Sequence, residues 1–507
     1  MSLAILASLA LAGLKTTSVR VEVHVGSGLP AFHIVGLPDA GVRESRERVR
    51  AAIVSSGFEF PSGRITVNLA PADLPKDSGR FDLPIALGVL LASGQVAPPH
   101  ASPLDVRDYV LAGELSLTGA VMPVGAPLAI ALGVAGSLPV RTLILPQQGA
   151  GLAAHVPGVQ ILAARSLRQV VDHFSAAKML PEAVPVPLAP RQDPVYCMSE
   201  VRGQGTARRV LEIAASGKHS LLMVGAPGTG KSMLAHRLPG LLPELAHSQA
   251  LEVAALGALA GDGNNAFGLQ PPFRAPHHSS SVPALIGGGI NPQPGEISRA
   301  HRGVLFLDEL PEFKRSVIES MREPLETGQV AIARAVRTMV FPSDFQLVAA
   351  MNPCPCGWAG HSQRHCSCTP DQTTRYRAKI SGPFLDRVDL HIRLPANGPD
   401  WVSQPAGEPS ASIRSRVQRC LQRQLQRQGC PNARLSPSQL DRYCQLDQAG
   451  QRLLEQGIAR WAWSARVIHR IRRVARTLAD MDGEATPGPG HLAEAMHYRD
   501  AWPESPL

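Results

Sequence analysis

The stretch HSLLMVGAPGTGKSMLAHRL, from His219 to Leu238, decides the fold. Leu221 to Val224 form a short apolar run that predicts a buried strand. Gly225, Ala226, Pro227, Gly228, Thr229, Gly230, Lys231 and Ser232 follow, and a helix-forming run comes next. Strand, glycine-rich loop and helix in this order are the P-loop pattern in the context it requires. The glycines let backbone N–H groups turn inward around phosphates, and the helix N-terminus adds its positive dipole. The spacing assigns Lys231 to the β- and γ-phosphates of ATP and Ser232 to Mg²⁺.

The partners of such a loop lie downstream. GVLFLDEL (Gly303 to Leu310) reads as a buried parallel strand ending in Asp308 and Glu309. Asp308 is placed to hold Mg²⁺ through water. Glu309 is placed to polarise an attacking water, the general-base role of hydrolysis. The plainer reading is an acidic strand end capping the next helix. FQLVAAMNP (Phe345 to Pro353) predicts a third strand, ending in Asn352. A polar side chain there can orient water beside a γ-phosphate, although Asn-Pro is also an ordinary turn. Three such strands predict an α/β core.

The rest of the chain surrounds that core. A length of 507 residues implies about two to four domains. An apolar fraction of 44% with 18% charged residues excludes global disorder, a collagen repeat and a disulfide scaffold. No run approaches ~18 uninterrupted apolar residues, so no membrane span is expected. MSLAILASLALAG is apolar but has no basic residue ahead of it, and it runs into the alternation VRVEVHV (Val19 to Val25). It therefore reads as the first strands of a cytoplasmic domain rather than a secretory signal.

RITVNLA (Arg64 to Ala70) alternates like a strand, and DLPIALGVLLASG (Asp82 to Gly94) reads as an apolar helix. Pro-rich stretches at 181–194 and 396–410 look like extended linkers. They divide the chain into residues 1–180, a core of 195–395 and a helical piece of 411–507. In that piece Ile413, Val417, Leu421 and Leu425 form an apolar stripe. Arg416, Arg419, Arg423 and Arg427 form a basic one, by default a solvated face and otherwise a nucleic-acid contact.

Net charge is +9, carried mainly by arginine. Arginine's planar fork suits phosphate, so a polyanionic partner fits; a codon bias toward arginine would give the same composition. Eight cysteines occur, none of them before Cys197. Cys354, Cys356, Cys366 and Cys368 crowd together, a pattern of four thiolates suited to a structural Zn²⁺ in a reducing compartment. Free reduced thiols are the alternative. The other four cysteines are scattered.

GAPGTGKS, FRAPHHSSS (Phe273 to Ser281), PGEISRAHRGVLFLDEL (Pro294 to Leu310), LVAAMNPCPCG (Leu347 to Gly357) and SGPFLDRVDLH (Ser381 to His391) together resemble the magnesium-chelatase-like AAA+ ATPases. GLPDAGVRESRERVRAAI (Gly36 to Ile53) is typical of the YifB/ComM branch, and the resemblance covers nearly the whole chain. It implies a P-loop AAA+ core, an N-terminal Lon-protease-like α+β domain and a C-terminal helical lid. Asn352 matches the sensor residue. Arg387 matches the arginine finger that reaches a neighbouring subunit's ATP, and Arg466 matches the sensor-2 arginine. A finger acting in trans implies a ring, in this superfamily a homo-hexamer.

Two inserts, at Phe273 to Gly289 and at Gly328 to Phe341, match pore-lining elements, the second carrying Arg334 and Arg337 as candidate DNA contacts. Where Lon-type proteases carry their serine and lysine, this chain has Asp82 and Leu128, so no peptidase activity is expected. The implied function is an ATP-dependent DNA motor (helicase) on single-stranded or branched DNA. It would promote branch migration in homologous recombination and natural transformation (competence). The rivals are a magnesium-chelatase-type motor subunit that remodels a partner protein, and an adaptor that binds ATP only to assemble.

Overall fold

The computed structural model describes residues 3–37, 40–72, 76, 79–96, 104–137, 142–189, 196–262, 267–289, 292–333, 338–361, 363–396 and 403–499, without the side chains of residues 40, 41 and 43. The chain divides into two units, Met1–Ala189 with Leu251–Gly268, and Pro190–Ala250 with Leu269–Leu507.

The first unit is built on a seven-stranded sheet. Its spatial order is Ala31–Val35, Arg64–Ala70, Lys15–Gly26, Leu3–Ala12, Tyr109–Leu111, Thr142–Pro146 and Ile161–Ala164. Leu3–Ala12 and Lys15–Gly26 form an antiparallel hairpin in which Ala12 faces Lys15, and Gly13 takes φ +66° in the turn. Val19, Val21 and Val23 alternate inward with no exposure, as the sequence pattern requires. Helix Asp82–Ala92 lies on them so closely that a methyl on Gly88 would stand 2.5 Å from Val23 Cγ2.

Asp82 opens that helix fully buried. It accepts hydrogen bonds from Ser45 Oγ, from Arg48 Nε at 2.6 Å and from the Leu115 amide at 3.2 Å. Leu128 is buried in helix Pro127–Ala135. The expected linker at 181–194 is not a free tether where it is described. Pro181 O accepts from Ala163 N at 2.9 Å, Ala183 N donates to Ile161 O at 2.8 Å and Val186 N to Gly151 O at 3.0 Å. The amides between the prolines find carbonyls on the sheet edge and its neighbouring helix, which docks the segment. Residues 190–194 lie outside the described residues, as do 397–402 of the second expected linker.

The second unit holds a five-stranded sheet in the order Phe273–Arg274, Val304–Leu307, Gln346–Met351, Leu221–Gly225 and Leu390–Leu394, parallel throughout. The three strands expected at 221–224, 303–310 and 345–353 lie side by side and are buried. Leu221–Gly225 is flanked by strands that come later in sequence, so strand order reverses there. Ligands of open parallel sheets bind beyond the carboxyl ends of strands at such a reversal, and the glycine-rich loop starts there.

Helices Ser410–Gln428, Pro437–Tyr443, Gln448–Trp461, Ala465–Asp482 and Pro489–His497 complete this unit. Ile413 and Val417 share one apolar core with Leu211, Leu234, Leu238, Val474 and Leu478. The basic stripe departs only in part from its default reading as a solvated face: Arg419 and Arg423 are exposed, while Arg416, Arg423 and Arg427 make specific contacts. Arg416 pairs with Glu212 at 2.7 Å and Glu408 at 2.5 Å. Arg423 donates to the Asp480 carbonyl at 2.6 Å, and Arg427 pairs with the Asp480 carboxylate at 2.5 Å. Glu212 and Asp480 are remote in sequence and Glu408 precedes the helix, so a helical wheel shows the cations without their partners.

Asp480 is 2% exposed and also takes hydrogen bonds from Arg476 Nη2 at 2.6 Å and Asn432 Nδ2 at 2.8 Å. Burial alone would raise its pKa; the hydrogen bonds from Arg427, Arg476 and Asn432 outweigh burial and hold it below 3.8. A carboxylate depressed in the folded state stabilises above its unfolded pKa of about 3.9 and loses that contribution as pH falls below it. Asp480→Ala strands two arginines, one of them fully buried, and is expected to cost about 3–5 kcal/mol. The check is the denaturant midpoint at neutral pH, where a loss under 1 kcal/mol would contradict this account.

Candidate functional site

The loop that follows Leu221–Gly225 is shaped for phosphate. Gly228 and Gly230 adopt φ +79° and +87°, backbone that a side chain would strain, and Gly228 opens onto free space. Gly225 has no room for a side chain, since a methyl would lie 2.6 Å from Thr229 Oγ1. Helix Lys231–Leu241 starts at Gly230 with no side-chain cap, which leaves its first N–H groups directed at the loop mouth. This cradle and its donor set fit a nucleotide triphosphate.

Four of the expected residues converge here. Lys231 is 9% exposed, and its Nζ donates to Gly225 O at 2.8 Å, Ala226 O at 2.9 Å and Asn352 Oδ1 at 3.1 Å. Burial lowers the Lys231 pKa, while Asp308 and Glu309 favour its charged form. Ser232 Oγ donates to Asp308 Oδ2 at 2.5 Å. The P-loop helix, the acidic strand end and the Asn352 strand end therefore meet, with a hydroxyl and a carboxylate side by side where Mg²⁺ needs hard oxygen ligands.

Glu309 follows in the left-handed conformation, φ +52°, with its carboxylate more than half exposed. His278 Nδ1 lies 3.3 Å from Glu309 Oε2. The sequence quoted His278 only within a family motif. Nothing local shows that the insert starting at Phe273 folds back onto the acidic strand end.

Arg387 and Arg466 do not join this group. Both meet Glu326 Oε1, Arg387 Nη2 at 2.8 Å and Arg466 Nε at 3.6 Å. They line a cavity of about 210 Å³ together with Ser220, Gln346 and Asp389, residues at the amino ends of the parallel strands. The P-loop lies at the carboxyl ends, a strand length of roughly 16 Å away at ~3.3 Å per residue. Arg334 and Arg337 lie outside the described residues; the strands that lead to them, Gln329–Ala333 and Thr338–Pro342, pair antiparallel.

The cysteine cluster borders the nucleotide loop. Cys354 Sγ lies 3.4 Å from Cys356 Sγ and 3.6 Å from Cys366 Sγ; Cys356 and Cys366 are 3.5 Å apart. All four sulfurs, Cys368 included, lie within 4.8 Å of one another. A Zn–S bond of ~2.3 Å implies tetrahedral S···S edges of about 3.8 Å, whereas a disulfide requires ~2.05 Å. The Cys356 amide points at Cys368 Sγ and the Ala359 amide at Cys354 Sγ, both at 3.3 Å. Such N–H···S bonds stabilise metal thiolates, so the donor set fits a structural Zn²⁺.

The lobe also touches the P-loop: a methyl on Gly357 would stand 2.6 Å from Pro227 Cδ. About one zinc per chain is therefore expected, measured by elemental analysis after a chelator wash. Cys354→Ser/Cys356→Ser should lose the metal and lower the melting temperature, and metal-free parent protein with an unchanged melting temperature would refute the site.

A parallel sheet with a P-loop at its reversal strand, an acidic strand end facing that loop and a polar strand end beside it define a P-loop ATPase core of the AAA+, magnesium-chelatase type. The family described as magnesium chelatase, subunit ChlI, matches residues 197–400, and two further ChlI families match 21–149 and, for the C-terminal part, 407–499. Competence protein ComM of Haemophilus influenzae is 43% identical over 506 residues, covering 98% of both chains. The uncharacterized protein YifB of Escherichia coli is 43% identical over 507 residues, 98% of this chain and 97% of that one. An uncharacterized Mycobacterium tuberculosis protein, Rv2897c, is 39% identical over 97% of each. The chain belongs to the YifB/ComM family of magnesium-chelatase-like AAA+ proteins.

Proposed function

We propose that this protein is one subunit of an ATP-hydrolysing homo-hexameric ring that moves along DNA and promotes branch migration of recombination intermediates, as in integration of DNA taken up by competent cells. In this reading residues 1–180 form a Lon-protease-like domain without peptidase activity, 195–395 the ATPase core and 411–507 a helical lid. Lys231 holds the β- and γ-phosphates, Ser232 and Asp308 hold Mg²⁺, Glu309 activates water and Asn352 orients it. When bound there, Mg²⁺ would supply positive charge to offset charge on the β- and γ-phosphates.

The observation that carries the ring is the separation of Arg387 and Arg466 from their own P-loop. Their place at the other end of the sheet supports a role for Arg387 and Arg466 at the γ-phosphate of a neighbouring copy rather than their own. Support for DNA over a chelatase role comes from the full-length likeness to a protein named for competence. The 67 kDa magnesium-chelatase subunit of Chlorobaculum parvum matches over only 61 residues, 12% of this chain. Among the described residues no helix is long and apolar enough to cross a membrane.

The test is a three-stranded DNA substrate with ATP, alongside ATPase rates with and without single-stranded DNA. The parent should move the branch. Lys231→Ala should fail for lack of ATP, and Arg334→Ala/Arg337→Ala for lack of grip on the phosphate backbone. A parent that hydrolyses ATP but moves no branch would shift the reading to remodelling of a partner protein.

A further inference from the structure

We propose that Glu326 is a resident counter-ion that stows Arg387 and Arg466, and that it gives them up when the neighbouring subunit's ATP arrives; this rests on the ring reading above. Arg387 does not reach outward: its side chain is 6% exposed, against 39% for Glu326 and 61% for Arg466. Its Nη2 is bonded to Glu326 and its Nη1 to Pro383 O at 2.6 Å, and its buried Nε has no partner among the described residues. A guanidinium held in this way presents no free fork to a phosphate. A carboxylate offers that fork the same pair of oxygens that a phosphate does, so one can replace the other.

The surroundings favour an incoming anion. Lys218, Arg434, Arg470 and Arg473 line the same cavity, whose lining carboxylates are Glu326 and Asp389; Asp344, which is not part of the lining, is already paired with Arg434 and Arg302. Asp389 is already committed: it is 3% exposed, pairs with Arg470 at 2.6 Å and accepts from Ser220 Oγ and N at 2.9 Å. Glu326 alone of the two is placed to exchange.

Its helix, Arg322–Thr327, is anchored, because Arg434 Nη1 donates to the adjacent Leu325 carbonyl at 3.2 Å. Release is therefore a side-chain rotation. Ser464 Oγ at the start of the Arg466 helix donates to Asp386 Oδ2 at 3.2 Å, so the segments carrying the two arginines are tied together. Both can be handed over at once.

Glu326→Gln keeps the shape and removes the charge. A partly exposed ion pair is worth about 0.5–1 kcal/mol, which corresponds to about a two- to fivefold change. The variant should raise kcat for ATP by about that factor and lower the protein concentration at half-maximal activity, with KM for ATP unchanged. Glu326→Ala should behave alike, which separates charge removal from an effect of the amide, and melting curves check the fold of both. A folded Glu326→Gln protein with parental or lower kcat overturns the counter-ion role. Arg387→Ala run in parallel separates the two readings. If it hydrolyses ATP like the parent, the ring reading has failed; if it is inactive while Glu326→Gln is no faster than the parent, only the Glu326 assignment has failed.

Discussion

Glu309→Gln should bind ATP as tightly as the parent and hydrolyse it about 10²–10⁴-fold more slowly, the range for removal of a positioned general base. The geometry separates the two effects. Lys231 donates to Asn352 and Ser232 to Asp308, bonds that do not use the Glu309 side chain, whose carboxylate meets His278 on the neighbouring insert. The amide preserves size and can still accept a hydrogen bond from His278, but it cannot take a proton from water. Fluorescent-nucleotide titration and single-turnover hydrolysis measure the two quantities. Near-parental hydrolysis would move the base to another residue. Weakened binding with parental turnover would make Glu309 a ligand rather than a base.

The parts of this site that could be read from sequence are those whose signal is local. The P-loop, the Asp308–Glu309 strand end and Asn352 each sit within a few residues of a buried strand, and an apolar run followed by a polar terminus marks them without tertiary knowledge. The cysteine cluster was legible for the same reason, since its four ligands fall between Cys354 and Cys368. What stayed hidden depends on distant partners. Glu326 lies in a short acidic helix that resembles any exposed turn, and it gains meaning only where the chain returns with Arg387 and Arg466. His278 is one of two adjacent histidines in a motif, and only the return of the insert selects it for Glu309. The arginines of helix Ser410–Gln428 looked like a solvated stripe because Glu212, Glu408 and Asp480 lie outside their helix. The docked Pro181–Ala189 segment has the composition of a tether, and sequence cannot show that its amides meet the carbonyls of Ile161 and Gly151.

Arg387→Ala should be inactive alone and should recover activity when mixed with a protein disabled at the P-loop. If Arg387 completes the site of a neighbour, its loss removes stabilisation of charge building on the γ-phosphoryl oxygens, worth about 10³-fold or more in turnover, and leaves the subunit's own P-loop intact. Lys231→Ala has the opposite defect: no useful nucleotide site but a sound arginine. In a mixed ring, an Arg387→Ala subunit supplies the P-loop and an adjacent Lys231→Ala subunit supplies the finger, so some interfaces hold one complete site. Activity of the mixture should rise above that of either variant, peak near equal proportions and fall when one is in excess. An arginine acting on its own P-loop predicts no recovery at any ratio, because each subunit then carries its defect wherever it sits. Placement at the amino ends of the strands, away from Lys231 and Ser232, favours recovery. Arg466→Ala tested in the same way asks whether the second arginine on Glu326 serves the same neighbour. Complementation by Lys231→Ala would place both arginines at one interface, and its absence would leave Arg387 as the single residue acting across it.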